Sequence, residues 1–95
     1  MTSTLQQAAT PIAEVEERHV AVVRGRVQYV EVSSADAPAR LLVRLADATG
    51  QLDCIFVGRR VIAGIEPGVA LCVEGRIAAG DVPVIFNPRY ELCAP

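Results

Sequence analysis

From His19 onward the chain alternates apolar and polar residues with a period of two, in short runs broken by Gly, Pro, Asp and Ser. The first run, His19–Val32, constrains the fold most. Ala21, Val23 and Val27 share one parity, but Val30 falls on the other, and Gly25 sits between them. A long strand that changes parity near a glycine must carry a β-bulge or a sharp bend. After a Ser33–Ala39 loop, Arg40–Asp47 sets Leu41, Val43 and Leu45 against Leu42, Arg44 and Ala46. Asp47-Ala48-Thr49-Gly50 reads as a turn, with Gly50 at the position free to take positive φ. Leu52–Val57 is a third strand, with Cys54 and Phe56 on the side of Leu52. Glu66-Pro67-Gly68 is a strong turn signal. Val69–Ala79 is the fourth strand, Ala79-Gly80-Asp81 its hairpin turn, and Val82–Phe86 the fifth strand. Asn87-Pro88 interrupts that strand before Tyr90–Leu92.

Strands one and four repeat one pattern, Val-Arg-Gly-Arg-Val at 23–27 and Val-Glu-Gly-Arg-Ile at 73–77. A glycine inside a long strand lets it coil tightly and serve two neighbours. Five strands in about 80 residues best remove their exposed edges by closing into a barrel. The 95 residues are enough for one core, burying roughly 65% of the unfolded surface. Residues 1–10 are small and polar and are expected to form a flexible tail before a domain over 11–95. Thr10-Pro11 reads as a cap and first helical position for a short turn over Ile12–Glu17. The longest apolar runs are a few residues, so no membrane association is expected. The N-terminus lacks the basic and apolar regions of a secretory signal, which makes the cytoplasm the expected location.

Nine basic residues face eleven acidic ones, a net charge of −2. Nucleic-acid binders usually carry a basic excess, so any such site here must be a local patch. All nine basic residues are arginine, which suits phosphate forks and base stacking. Three cysteines, Cys54, Cys72 and Cys93, and one histidine lack the spacing of a zinc site, and no metal or cofactor is expected. Cys54 and Cys72 lie in apolar runs, where a free thiol acts as a small hydrophobe.

The order Val23-Arg-Gly-Arg-Val27, Leu45-Ala-Asp-Ala-Thr-Gly-Gln-Leu52, Phe56, Ile65-Glu-Pro-Gly68, Val73-Glu-Gly-Arg-Ile77 and Asn87-Pro-Arg-Tyr-Glu-Leu92 resembles an OB-fold domain. It is similar to the tRNA-anticodon-binding type and, more closely, to the wedge domain of the RecG helicase. Small stand-alone actinobacterial OB-fold proteins look alike as well. The resemblance covers about residues 12–93. It implies an all-β, five-stranded Greek-key OB barrel with a short N-terminal helical turn, and nucleic acid as the partner. Two departures stand out. Ala48 replaces a glycine that many relatives carry, and the short Gly-rich stretch 58–68 stands where many barrels have a helix.

Nothing in the sequence pairs a nucleophile with a base, so the chain is not expected to be an enzyme. His19 reads as a solvated or hydrogen-bonded structural residue, and Asp47 as the cap of its own turn. Gly58-Arg-Arg and Gly75-Arg lack the spacing of a phosphate loop. A binding face remains. OB ligands cross strands two and three. Parity there puts Leu42, Arg44 and Ala46, then Asp53, Ile55 and Val57, on the outside, with Arg26 and Gln28 beside them and Arg40 and Asp81 from the loops. Parity places no aromatic on this face. Phe56 points inward, and Tyr29 reads more readily as a core or rim residue than as a stacking platform. Arg59-Arg60 is the densest basic pair, either a solvated loop or a phosphate clamp. Two readings follow. In one, Arg26, Arg40, Arg44, Arg59 and Arg60, with Tyr29, bind nucleic acid weakly. In the other, Leu42, Ile55 and Val57 form an apolar patch for a protein partner or a homodimer. Phosphate binding weakens steeply with salt and apolar association does not, which separates the two.

Overall fold

In the computed structural model, which describes residues 9–93, a 3-10 turn (Ile12–Glu14) precedes six strands. They are β1 (Val20–Val32), β2 (Arg40–Ala46), β3 (Gln51–Val57), β4 (Ala70–Arg76), β5 (Val84–Phe86) and β6 (Arg89–Leu92). β1 serves two neighbours. Its first half pairs antiparallel with β4, from Val20 opposite Arg76 to Arg26 opposite Ala70. Its second half pairs antiparallel with β2, from Arg26 opposite Ala46 to Val32 opposite Leu41. The register slips between Val27 and Tyr29, so the bulge foreseen from the parity change sits at Gln28. Gly25 has a different task. A Cβ there would lie 2.9 Å from the carbonyl oxygen of Ala46, so only glycine lets β2 end so close to β1.

The sheet order is β5-β3-β2-β1-β4-β6. β5 and β6 are two halves of one strand, interrupted at Asn87-Pro88 as expected. The first half runs parallel to β3 and the second antiparallel to β4, so this broken strand closes the sheet on itself. Asn87, at φ 49°, makes the break and repairs it. Its N–H donates to the Ile55 carbonyl at 2.7 Å, and its side-chain oxygen accepts from the Val57 N–H at 2.8 Å. The result is the expected OB barrel. β4 is shorter than the 69–79 expected, because beyond Arg76 the regular ladder ends: Ile77 bonds back to Arg18 and His19, and Ala78 pairs with Val84, before the 79–83 turn.

Strand parity fills the interior. Val23, Val27, Leu41, Val43, Leu45, Leu52, Leu71, Val73 and Ile85 are fully enclosed, and Phe56 meets Tyr90 edge to face at 5.8 Å between centroids. Ile12 closes the opening beside the β2–β3 turn. Asp47 holds it there, accepting the Ile12 N–H at 2.9 Å with Oδ2. Oδ1 of Asp47 meanwhile caps its own turn through Thr49 and Gly50, the role expected for it. Gly50 differs from the expectation. It is not among the positive-φ glycines; it makes room, since a Cβ there would sit 3.3 Å from Ile12 Cγ2. Pro11 rather than Thr10 occupies the N-cap position, and it offers no side-chain bond. The tail expected over 1–10 lies outside the described residues except for Ala9 and Thr10, and Thr10 donates its N–H to the Val22 carbonyl at 2.7 Å. A second opening is spanned by residues 58–69, where Ile62 and Ile65 are buried without a helix. Glu66-Pro67-Gly68 turns as expected, with Gly68 at φ 92°.

Candidate nucleic-acid interface

On the outside of the barrel, the registers of β1, β2, β3 and β5 lay out a grid. One row holds Tyr29, Arg44, Asp53 and Val84; the next holds Glu31, Leu42, Ile55 and Phe86; Arg40 and Val57 begin a third. Directly paired residues share a face, so this grid is one outer surface of the barrel.

Arg44 is its organising residue. Its Nε donates to Asp53 Oδ1, its Nη2 to Asp53 Oδ2 at 3.1 Å, and its Nη1 to Gln51 Oε1 at 3.1 Å. Its guanidinium carbon lies 5.3 Å from the centroid of the Tyr29 ring, a cation–π distance. The hydrogen bond with Asp53 raises the Arg44 pKa further, against a smaller opposing effect of burial. The bulge at Gln28 explains the ring. By turning Val30 inward it leaves Tyr29 outward, 42% exposed, where the sequence favoured a core or rim position. Arg44→Ala strands a carboxylate that is largely shielded from water. It is expected to cost about 2 kcal/mol in urea unfolding, part of it recovered by adding Asp53→Asn.

The other predicted cations separate. Arg60 is committed to structure: its Nη2 donates to the carbonyls of Ser34, Ala35 and Ala37, the last at 2.6 Å, and so holds the β1–β2 loop. Arg26 gives Nη1 to the Gly68 carbonyl at 2.6 Å. Arg40 and Arg59 are exposed and have no side-chain partner among the described residues. Arg40 lines a cleft of about 410 Å³ with Leu42, Val57, Val32 and the β1–β2 loop.

The apolar patch is corrected in one member. Val57 is 58% exposed and Leu42 half-buried, but Ile55 is only 8% exposed, because Leu42 and Phe86 flank it in the register. The expectation of a face without aromatics is also overturned. Phe86 stands on this face at 56% exposure, and Tyr29 joins it. Phe86 was legible in principle: Ile85 faces the core, so its neighbour must face out. His19 contacts Glu16 at 2.8 Å on the surface. Cys54, Cys72 and Cys93 are free and buried; burial raises the Cys54 thiol pKa and pushes that of Cys72 up to about 12.

Fold and surface together define an OB barrel with a partly aromatic outer face. Among solved structures, the chain is similar to the solution NMR structure of the replication factor A related protein from Methanobacterium thermoautotrophicum. The identity is 17%, the TM-score is 0.66, and the match covers 90% of each chain. No family model matches this chain, and no curated protein matches it. Among the described residues, no helix is long and apolar enough to cross a membrane.

Proposed function

We propose that this chain is a non-catalytic module for single-stranded nucleic acid. In this reading the outer β1–β2–β3–β5 face stacks bases on Tyr29 and Phe86, while Arg40 and Arg59 hold phosphates at its rim. The carrying observation is the pair of exposed aromatics on one face. They stand on strands three spacings apart, about 14 Å, a distance that a few nucleotides span. Arg44 takes a positioning role, since Asp53 already fills its fork and Tyr29 lies under it. The likeness in fold to a replication factor A related protein supports the reading. So does the choice of arginine, whose guanidinium also stacks on bases. Arg44, Asp53, Arg40 and Glu31 cancel on the face, so affinity rests on stacking and is modest.

Fluorescence anisotropy with labelled single-stranded DNA and RNA of about 12 nucleotides, at low and moderate salt, tests this. Binding should appear at micromolar protein. Tyr29→Ala and Phe86→Ala should each weaken it by about tenfold, since a stacked base contributes about 1–3 kcal/mol. Arg40→Gln with Arg59→Gln should flatten the salt dependence by about 1.4 in log–log slope. Absence of binding at low salt overturns the proposal. The exposed Val32 and Val57 beside the cleft then favour apolar association with a protein or a second copy, seen as salt-insensitive self-association on dilution.

A further inference from the structure

Phe86 belongs to two surfaces. One is the outer face described above. The other is a groove of about 500 Å³ lined by Glu17, Arg18, Arg76, Ile77, Ala78, Ala79 and Phe86. This groove lies beyond β5, where the segment before β1 meets the end of β4, away from the β2–β3 rows. Its floor is apolar and its two cations are exposed. Neither guanidinium has a hydrogen-bond or ion-pair partner among the described residues. This sets them apart from Arg26, Arg44, Arg60 and Arg89, each of which is committed to a protein oxygen.

Arg18 is also held in an uncommon backbone state. Its φ is 70°, a left-handed conformation that a long side chain seldom adopts. The surrounding pairing imposes it: the Arg18 N–H donates to the Ile77 carbonyl at 2.8 Å, and the Ile77 N–H donates to the His19 carbonyl at 2.9 Å. These bonds fix Arg18 beside the end of β4, where Arg76 emerges opposite Val20. An exposed ring with two unpaired guanidiniums around one groove matches the chemistry of a nucleotide unit, a flat base joined to an anionic phosphate. Glu17 leaves one net positive charge, and its carboxylate suits the amino edge of a base rather than a phosphate.

We infer that the bound strand does not stop at the outer face but continues over Phe86 into this groove, where Arg18 and Arg76 take its next phosphates. This rests on the single-strand reading above. It predicts a site longer than the β2–β3 face, with part of the salt dependence carried by two arginines remote from that face.

The test compares labelled oligothymidylates of about 6 and about 12 nucleotides on the wild-type chain and on an Arg18→Asn, Arg76→Gln variant. Asparagine tolerates the left-handed backbone, so the pairing at Ile77 is kept, and thermal melting should confirm an intact barrel. The variant should bind the longer oligomer about 5–10-fold more weakly, with its salt slope reduced by about 1.4, and the shorter one as the wild type does. Unchanged affinity and slope on the longer oligomer, with the wild type binding normally, would overturn the groove and leave the outer-face reading intact. An equal loss on both lengths would also overturn it, because the arginines would then act on the face itself. If the wild type binds neither oligomer, the outer-face reading fails and this inference fails with it.

Discussion

Gly25→Val is expected to lower the melting temperature by about 12–24 °C, or to leave the chain largely unfolded. The site is the crossing point of the barrel. Gly25 pairs with Leu71 on β4 and stands beside Arg26, the residue at which β1 faces both Ala46 and Ala70. A Cβ would meet the Ala46 carbonyl oxygen at 2.9 Å and its carbon at 3.3 Å. The obstacle is backbone, which cannot rotate away as a side chain would. Relief requires β1 and β2 to part where their ladder begins. Overpacking of this kind costs up to about 3 kcal/mol, from a total of about 5–15 for a domain of this size. Each kcal/mol moves the midpoint by about 4–8 °C in a chain this short. Gly25→Ala should show a smaller fall in the same direction. Thermal melts followed by circular dichroism decide it, and a Gly25→Val midpoint within a few degrees of wild type would mean the strands need no such approach.

The second large effect falls on Asp47. Its carboxylate accepts the Thr49 N–H at 2.7 Å, the Thr49 hydroxyl at 2.6 Å, the Gly50 N–H at 3.0 Å and the Ile12 N–H at 2.9 Å. It therefore closes the β2–β3 turn and fastens the 3-10 turn whose Ile12 seals the barrel. Asp47→Ala removes all four bonds and is expected to cost about 2 kcal/mol, a fall of about 8–16 °C. The pH dependence has a definite sign. Burial alone would raise the carboxyl pKa, but the hydrogen bonds from Thr49, Ile12 and Gly50 outweigh it and hold the group below its ordinary value. In the unfolded chain it titrates near 4, so as pH falls the unfolded state takes the proton first. The stabilisation is thus fully present above that pH and is lost as pH drops through the lower folded value. Urea unfolding of wild type and Asp47→Ala should differ most at pH 7, and the gap should narrow at about pH 3. A gap that widens on acidification would show that the carboxylate is not the source of the stability.

Much of the barrel could be read from the chain because each cue was local. The parity change between Val27 and Val30 pointed to a bulge or a sharp bend near Gly25, and the structure has a bulge, at Gln28. The Asp47–Gly50 and Glu66–Gly68 turns, the Asn87-Pro88 break and the inward sides of β2 and β3 followed from residue types whose backbone preferences act within a few positions. The outer face was harder. Parity says which way a side chain points, but not what lies beside it. Ile55 points outward as expected and is buried all the same, because Phe86 arrives next to it from 31 residues further along the chain.

What the sequence by itself determined is the alternation, its one slip and its turns, and with them a closed β barrel, because period-two burial and turn-forming residue preferences act between neighbouring residues. What only the tertiary structure decided is the allocation of the arginines and aromatics. Arg59 and Arg60 are adjacent in sequence, yet the first has no side-chain partner among the described residues and the second is bound to the carbonyls of Ser34, Ala35 and Ala37. Arg18 and Arg76 stand 58 positions apart and line the same groove with Phe86. Whether a cation is spent within the fold or left for a ligand depends on which oxygens the barrel's closure brings within about 3 Å of it, and that is a property of long-range pairing.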